Sequence, residues 1–249
     1  MSLCSHCISG VRYEGTPEGK IELIGGVTCY TATPTINYPT DKVVLLLPEV
    51  FGIELENTKL LADDFARNGF KVVAIDYFNG EAISTEAMND PTFDWMAWIG
   101  EHGAGVTRPP LDKVIAALKV EGVKDFAATG YCFGGRYVFD LAFDRVLKVA
   151  AVAHPSLLKV PEDLHKFKET KTPLLINSCT VDQQFPHASQ EKADEILGGG
   201  SATAELYRRE YFEGCAHGFA VRGDPTIPAI KAGKEGSFKA TVEFFLKYL

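Results

Sequence analysis

The sequence lacks the features that mark three classes of protein. It contains no apolar run near the roughly 20 residues that a membrane-spanning helix needs. Lysine and arginine total 25 against 33 aspartate and glutamate, a formal net charge of −8, and the basic residues form no cluster. The first residues have neither a basic start nor the apolar core of a secretory signal. We therefore expect a cytoplasmic protein without a membrane or nucleic-acid partner.

Cysteine is also sparse, and its spacing argues against a metal site. Six cysteines are scattered along the chain, and with no export signal we expect reduced thiols rather than disulfides. Cys4 and Cys7 form the one metal-like pair, but a zinc site normally needs a second pair of ligands, and no CxxC or HxxxH follows. We expect plain thiols there, with a metal or redox role as the alternative, and no metal or other cofactor elsewhere.

Apolar runs of strand length alternate with helical patterns along most of the chain. Val43–Leu47 and Phe70–Asp76 are almost entirely apolar, as is typical of strands covered on both faces. Leucine, alanine and phenylalanine recur at helical spacing over about residues 54–68. This order of strand, helix and strand predicts βαβ units and a parallel sheet. We expect a single α/β domain over residues 1–249, with an irregular segment over residues 1–19.

Further strands and helices are predicted from the same patterns. Gly25-Gly26 between two short apolar runs is typical of a hairpin turn, and residues 204–212 have the mixed character of an edge strand. The predicted strands are Lys20–Leu23, Val27–Thr31, a run from Phe126, Lys148–Ala153, Leu174–Asn177 and Ala204–Phe212. The predicted helices are Val114–Val120, Phe133–Asp144, His187–Leu197 and Gly233–Leu249.

Residues 77–110 have no clear period. An aromatic cluster around Trp95 and Trp98 fits either a helix packed on the core or a wall of a substrate pocket, since pockets are lined mainly by apolar and aromatic side chains. On the second interpretation Trp95 is a candidate substrate-binding residue. Pro109-Pro110 predicts a loop over Gly100–Pro110.

The middle of the chain contains the pattern Gly130-x-Cys132-x-Gly134. A predicted strand precedes it and a predicted helix follows, which is the context of a nucleophile elbow, a sharp turn with the nucleophile at its tip. Glycine is expected two residues before and after the nucleophile because a side chain there would crowd the turn. The sequence therefore predicts a thiol nucleophile, Cys132.

Two further residues follow predicted strands and complete a catalytic set. Asp182 comes after the predicted strand at Leu174–Asn177, and His217 follows the next one. The order nucleophile, acid, histidine is that of the α/β-hydrolases. An imidazole can take the proton of a thiol to give the attacking thiolate, and a carboxylate can hold that imidazole in the useful tautomer. We predict His217 as base and Asp182 as its orienting acid.

The same set predicts an oxyanion hole and includes a fourth polar group. Backbone N–H groups of Phe133, after the nucleophile, and Val50, after the Val43–Leu47 strand, are the expected donors. Glu49 lies beside Val50. Each residue has a plainer interpretation, as a buried cysteine, a helix-capping aspartate, a structural histidine or a surface carboxylate. Their common position at carboxyl ends of strands favours catalysis.

These motifs together resemble one known family. They are Pro48-Glu49-Val50-Phe51-Gly52, Gly130-Tyr131-Cys132-Phe133-Gly134-Gly135, the Asp182 loop, and His217-Gly218-Phe219 with Arg222 close behind. The chain resembles the dienelactone hydrolase family, a cysteine-using branch of the α/β-hydrolases, over nearly its whole length after residue 20, and its long N-terminal segment is most similar to eukaryotic, especially fungal, members. The resemblance implies an α/β-hydrolase fold, with a mostly parallel central sheet and helices on both faces.

The resemblance also implies roles for individual residues. Glu49 would pair with the resting thiol of Cys132 and shift on substrate binding, and an acyl-enzyme would then form and be hydrolysed. Arg222 would bind a substrate carboxylate, because a guanidinium offers a matching pair of donors. Bacterial members carry a second such arginine near the position of Asn79, which this chain lacks. Arg136 is expected to face a structural carboxylate but is close enough in sequence to the elbow to reach the site.

The implied activity is cofactor-independent cleavage of a small lactone or ester, with or without a carboxylate, by a monomer or homodimer. Two alternatives remain open at this point. One is the cysteine-elbow architecture of glutamine amidotransferase and DJ-1-like proteins, in which His154 would be the base. The other is a thiol-based redox-sensing or ligand-binding protein on the same fold.

Overall fold

A computed structural model describes residues 9–249, and Cys4 and Cys7 lie outside the described residues. Residues 9–19 contain no helix or strand, as predicted for that part of the N-terminal segment. The strands are β1 Lys20–Ile24, β2 Val27–Ala32, β3 Lys42–Leu47, β4 Val72–Ile75, β5 Asp125–Tyr131, β6 Leu147–Ala153, β7 Leu174–Val181 and β8 Tyr207–Ala216. The helices are α1 Glu56–Arg67, α2 Thr85–Asn89, α3 Trp95–Glu101, α4 Ala104–Val120, α5 Gly134–Phe143, α6 Glu162–Thr170, α7 His187–Gly198, α8 Phe219–Arg222 and α9 Pro228–Tyr248.

The eight strands form one sheet in the order β1-β2-β4-β3-β5-β6-β7-β8. Strand β2 is antiparallel to both of its neighbours, and all other pairs are parallel. Gly25 and Gly26 both have positive φ and form the predicted two-residue hairpin turn between β1 and β2. Because the parallel strands run the same way, their carboxyl ends share one edge of the sheet. The predicted α/β fold with a mostly parallel sheet is confirmed.

Helices cover both faces of the sheet because the central strands are apolar on both. In β3, Val43, Leu45 and Leu47 pack with the layer of α4, α5, α6 and α7, while Val44 and Leu46 pack with α1, α8 and α9. All five side chains are buried, and burying each stabilises the fold by about 1.5–3 kcal/mol. Within residues 9–249, no helix is both long enough and apolar enough to cross a membrane.

The predicted loop over Gly100–Pro110 is wrong. Helix α4 begins at Ala104 and contains Pro109 and Pro110. The proline ring fixes φ near the helical value, so its cost there is a lost N–H donor and crowding of the preceding turn. Pro110 is buried, and the hydroxyl of Thr107 forms a hydrogen bond with that of Tyr137 on α5, so burial and a hydrogen bond offset that cost. Helix α6 was not predicted either, whereas β8 does form a sheet edge as predicted.

Candidate active site

Cys132 lies on the sharp turn between β5 and α5. Its φ is +49°, in the left-handed region that residues other than glycine rarely occupy. Three backbone hydrogen bonds hold it: its N–H donates to Ala153 at 3.2 Å, and its carbonyl accepts from Gly135 at 3.0 Å and from Ser156 at 2.9 Å. The surrounding backbone therefore maintains the strained turn that presents the thiol.

The two glycines of the pattern allow this turn to pack closely. A Cβ on Gly130 would lie 2.6 Å from the carbonyl oxygen of Gly134, and one on Gly134 would overlap the carbonyl oxygen of Leu47. Real Cβ contacts are essentially never that short. Any side chain at these positions would force α5 away from β3 and β5.

His217 and Asp182 meet at the same edge of the sheet, beyond β8 and β7. His217 Nδ1 lies 2.8 Å from Asp182 Oδ1, and the His217 N–H donates to the Val181 carbonyl at 2.9 Å. Asp182 Oδ1 also accepts from the N–H groups of Gln184 and Phe185, so this residue caps the following turn as well as holding the imidazole. The carboxylate is buried, which fixes its direction toward His217.

The charge state of His217 depends on both of its neighbours. Burial acts to lower the pKa of its imidazole, but hydrogen bonds with Asp182 and Cys132, together with their negative charge, raise that pKa to about 10. The structure therefore brings Cys132, His217 and Asp182 together, in an arrangement that favours an imidazolium beside the sulfur.

Glu49 has a different partner from the one that the resemblance implied. Its carboxylate is fully buried and accepts from Arg222 Nε at 3.1 and 3.0 Å. Burial raises the pKa of Glu49, while the charges of Arg222 and His217 act against that rise. A buried carboxylate is strongly destabilised without a cation, which explains why it binds the guanidinium. Instead of Glu49, the hydroxyl of Ser156 contacts the sulfur of Cys132, at 3.3 Å.

Ser156 and His154 were not predicted as parts of this set. Both follow β6, and no pattern in the sequence distinguishes that serine from others. The His154 ring is fully buried, its centroid lies 4.9 Å from that of His217, and neither ring nitrogen has a partner among residues 9–249. Burial, followed by the charges of His217 and Arg222, lowers the pKa of His154 well below its usual value. Since Asp182 binds His217 and not His154, the geometry favours His217 as the base.

The other two substrate-binding candidates, Arg136 and Trp95, contact groups other than the thiol. Arg136 donates to Asp140 at 2.7 Å and also pairs with Asp163, so it faces structural carboxylates. Trp95 is partly exposed at the start of α3, with its ring centroid 6.0 Å from that of Trp98. Trp98 in turn lies 6.2 Å from the ring of Phe133, beside the nucleophile. Trp95 is thus connected to the elbow through an aromatic wall.

The predicted oxyanion donors are both available. Within residues 9–249, the backbone N–H groups of Val50 and Phe133 donate to no other group. Phe133 stands at the N-terminus of α5, where the helix dipole favours negative charge. The described part of the chain contains no cluster of three or more histidine, cysteine, aspartate or glutamate residues that could hold a metal ion.

Comparisons with known proteins agree on one family. The sequence profile described as the dienelactone hydrolase family matches residues 27–249. The chain is 33% identical over 251 residues to "Hydrolase pyvD" of Aspergillus violaceofuscus, covering 98% of this chain and 96% of that protein. It is 30% identical over 245 residues to "Dienlactone hydrolase 1" of Gibberella moniliformis, covering 96% and 91%. A solved structure of a cold-adapted esterase from an Arctic intertidal metagenomic library has a TM-score of 0.65 at 18% identity, covering 93% of each chain. That likeness supports the fold alone.

Proposed function

Because this chain belongs to the dienelactone hydrolase family, we propose that it hydrolyses a small lactone or ester through a thioester formed on Cys132. The family and the class of enzyme, a carboxylic ester hydrolase, agree with the predictions made from the sequence. One observation carries the proposed mechanism. The thiol of Cys132 stands on a strained elbow beside His217, whose imidazole bonds the buried carboxylate of Asp182.

The proposed reaction begins with transfer of the thiol proton to His217. The thiolate attacks the substrate carbonyl, forming an S–C bond and moving the π electrons to oxygen, where the N–H groups of Phe133 and Val50 stabilise the charge. The C–O bond then breaks, and the departing alkoxide takes the proton from His217. Water, deprotonated by His217, attacks the thioester. The C–S bond breaks, releasing a carboxylic acid and restoring the cysteine.

Arg222 is the candidate binder of a substrate carboxylate. Its Nε is held by Glu49, while its terminal nitrogens have no hydrogen-bond partner within residues 9–249 and the side chain is 41% exposed. At the position where bacterial members carry the second arginine, Asn79 adopts φ +55° in a turn held by the Asp76 carboxylate. With one arginine at the site, we propose a substrate with at most one carboxylate.

The test is turnover of p-nitrophenyl acetate and of a dienelactone by the purified protein. We expect Cys132→Ala to lower kcat/KM by about 10³-fold or more, since the nucleophile acts as one unit with its base. Cys29→Ala is a matched control, because Cys29 is a buried cysteine of β2, three strands away from β5 in the sheet. Equal rates for the wild type and Cys132→Ala would disprove the nucleophile.

Mass spectrometry separates this proposal from thiol-based sensing or ligand binding. With an activated ester, a turnover enzyme shows an acyl mass shift on the Cys132 peptide that appears and then decays as substrate is consumed. A modification of Cys132 that persists after the reagent is exhausted would favour the sensing alternative.

A further inference from the structure

Ser156 presents a buried hydroxyl to the nucleophile. Its oxygen lies 3.3 Å from the sulfur of Cys132, and the residue is 5% exposed. Within residues 9–249, this hydroxyl has no other hydrogen-bond partner. A buried hydroxyl without a partner is costly, so its hydrogen bond must be made with the sulfur.

The backbone fixes the position of that hydroxyl. The segment His154–Ser156 is bound to the elbow on both sides, because Cys132 donates to Ala153 and Ser156 donates to the Cys132 carbonyl. Pro155 packs against Gly135, where an added Cβ would lie 2.7 Å from its ring. His154 is held through its N–H, which donates to Asn177 at 2.9 Å. Ser156 and Cys132 therefore form one rigid unit rather than a chance contact of two mobile side chains.

The chemistry of the two groups changes with the state of the sulfur. A hydroxyl is both a donor and an acceptor, so it can accept from S–H and donate to a thiolate. Hydrogen bonds to an ionised acceptor are roughly twice as strong as those between neutral groups. Since Glu49 is held by Arg222, no carboxylate within residues 9–249 forms a hydrogen bond with the sulfur that would oppose its ionisation.

We propose that Ser156 is a catalytic residue that donates a hydrogen bond to the Cys132 thiolate, both before attack and when the thiolate leaves the acyl-enzyme. The hydroxyl keeps its proton throughout, and the thiol proton still passes to His217. This inference rests on the proposed function for its role in turnover. The effect on the ionisation of the thiol exists without any substrate.

The primary test measures the rate at which iodoacetamide alkylates Cys132 as a function of pH, followed on the Cys132 peptide by mass spectrometry. Ser156→Ala removes the hydroxyl with little change in volume. We expect the midpoint of its alkylation profile to rise by about one pH unit, corresponding to roughly tenfold less thiolate below the midpoint. Ser156→Thr keeps a hydroxyl and is expected to titrate close to the wild type.

Two further variants serve as a control and as a substitute for Ser156→Ala. Ser237→Ala removes a buried hydroxyl of α9 that bonds the Lys234 carbonyl, on the opposite face of the sheet from α5, and is expected to leave the midpoint unchanged. If Ser156→Ala does not fold, Ser156→Gly removes the same hydroxyl. Equal midpoints for the wild type and the hydroxyl-free variant would overturn the proposal, as would a Ser156→Thr midpoint raised as far as that of Ser156→Ala.

Hydrolysis provides a separate readout. We expect kcat/KM of Ser156→Ala for p-nitrophenyl acetate to be about tenfold lower than wild type at pH values below the wild-type alkylation midpoint, and to recover as pH rises above the shifted midpoint. A wild type that is alkylated normally but turns over no ester would refute the proposed function and leave the alkylation test of Ser156 intact.

Discussion

Asp182 Oδ1 accepts from the N–H groups of Gln184 and Phe185 while lying 2.8 Å from Nδ1 of His217. Asp182→Asn replaces this anion with a neutral amide of the same size. We expect kcat/KM to fall by about 10²- to 10⁴-fold, because the imidazole loses its fixed tautomer and its charge stabilisation. The pKa of His217 should fall as well. Asp125→Asn, at the opposite end of the sheet, is the control that should hydrolyse esters at the wild-type rate.

The raised pKa of His217 predicts a pH dependence of stability. The pKa is 6.5 for the unperturbed group and about 10 in the folded chain, so folding favours the protonated form. This contribution is fully present below pH 6.5 and is lost as pH rises toward 10. In urea unfolding, the difference in free energy between wild type and His217→Gln should therefore shrink across this window. A difference that stays constant or grows would contradict the ion pair.

At the residue scale, the site was predictable where chemistry and chain order coincide. Cys132, Asp182 and His217 each follow a predicted strand, and the permitted order of the three limits the choice. Ser156 has no such signature, because it reaches the sulfur through the pairing of β6 with β5 and a turn after β6. The ion pair of Glu49 with Arg222 joins residues 173 positions apart, and only the folded chain shows which charge satisfies the buried carboxylate.

At the scale of elements, the elbow depends on how closely α5 approaches β3. Gly134→Ala would place a methyl group against the carbonyl of Leu47, and we expect it to destabilise the protein by about 1–3 kcal/mol as the helix shifts. Gly105→Ala is the matched control in α4, since an added Cβ there meets nothing within 4 Å. Because Gly105 lies in the first turn of the helix, its replacement should stabilise the protein by less than about 1 kcal/mol. Equal unfolding midpoints in urea for these two variants would contradict this account.

Elements were predictable from sequence wherever one period dominated. Apolar runs predicted β3 and β5. Apolar residues at helical spacing predicted α1 and α9, each of which buries one face. The prediction failed at α4 because the sequence shows the two prolines, which favour a loop. It does not show the burial of Pro110 or the hydrogen bond of Thr107, which exist only in the folded chain. The strand β7 extends to Val181, beyond the predicted end at Asn177, because pairing with β8 continues there.

At the scale of the whole molecule, residues 9–19 are irregular but firmly attached. Arg12 bonds Asp64 through both its backbone N–H and its side-chain Nε, each at 2.6 Å. The N–H groups of Glu18 and Gly19 donate to the Asp63 carboxylate, and the hydroxyl of Tyr13 donates to the Lys231 carbonyl on α9. The segment therefore ties α1 to α9 by polar contacts, which leave no periodic signal in the sequence.

This attachment predicts that replacing Arg12 lowers the free energy of unfolding by a large amount. The Asp64 side chain is fully buried, and Arg12→Ala would leave its carboxylate with the backbone N–H of residue 12 and, within residues 9–249, with the more distant Arg67, at 3.9 Å, as its one remaining ion-pair partner. We expect a loss of about 3–5 kcal/mol in the free energy of unfolding near pH 7. Arg108→Ala, which breaks pairs with the exposed Asp112 and Asp144, should cost less than about 1 kcal/mol.

The pH dependence of this effect follows from the charge on Asp64. Burial raises the pKa of Asp64, and the hydrogen bonds and charge of Arg12 act against that rise. Without Arg12 the pKa should rise further, so the folded variant binds a proton that the unfolded chain releases above about pH 4. The variant should therefore lose stability relative to wild type as pH increases from about 4 to 7. Urea unfolding of both proteins at these two pH values measures the change. A deficit that is the same at pH 4 and pH 7 would show that packing rather than the buried charge makes Arg12 important.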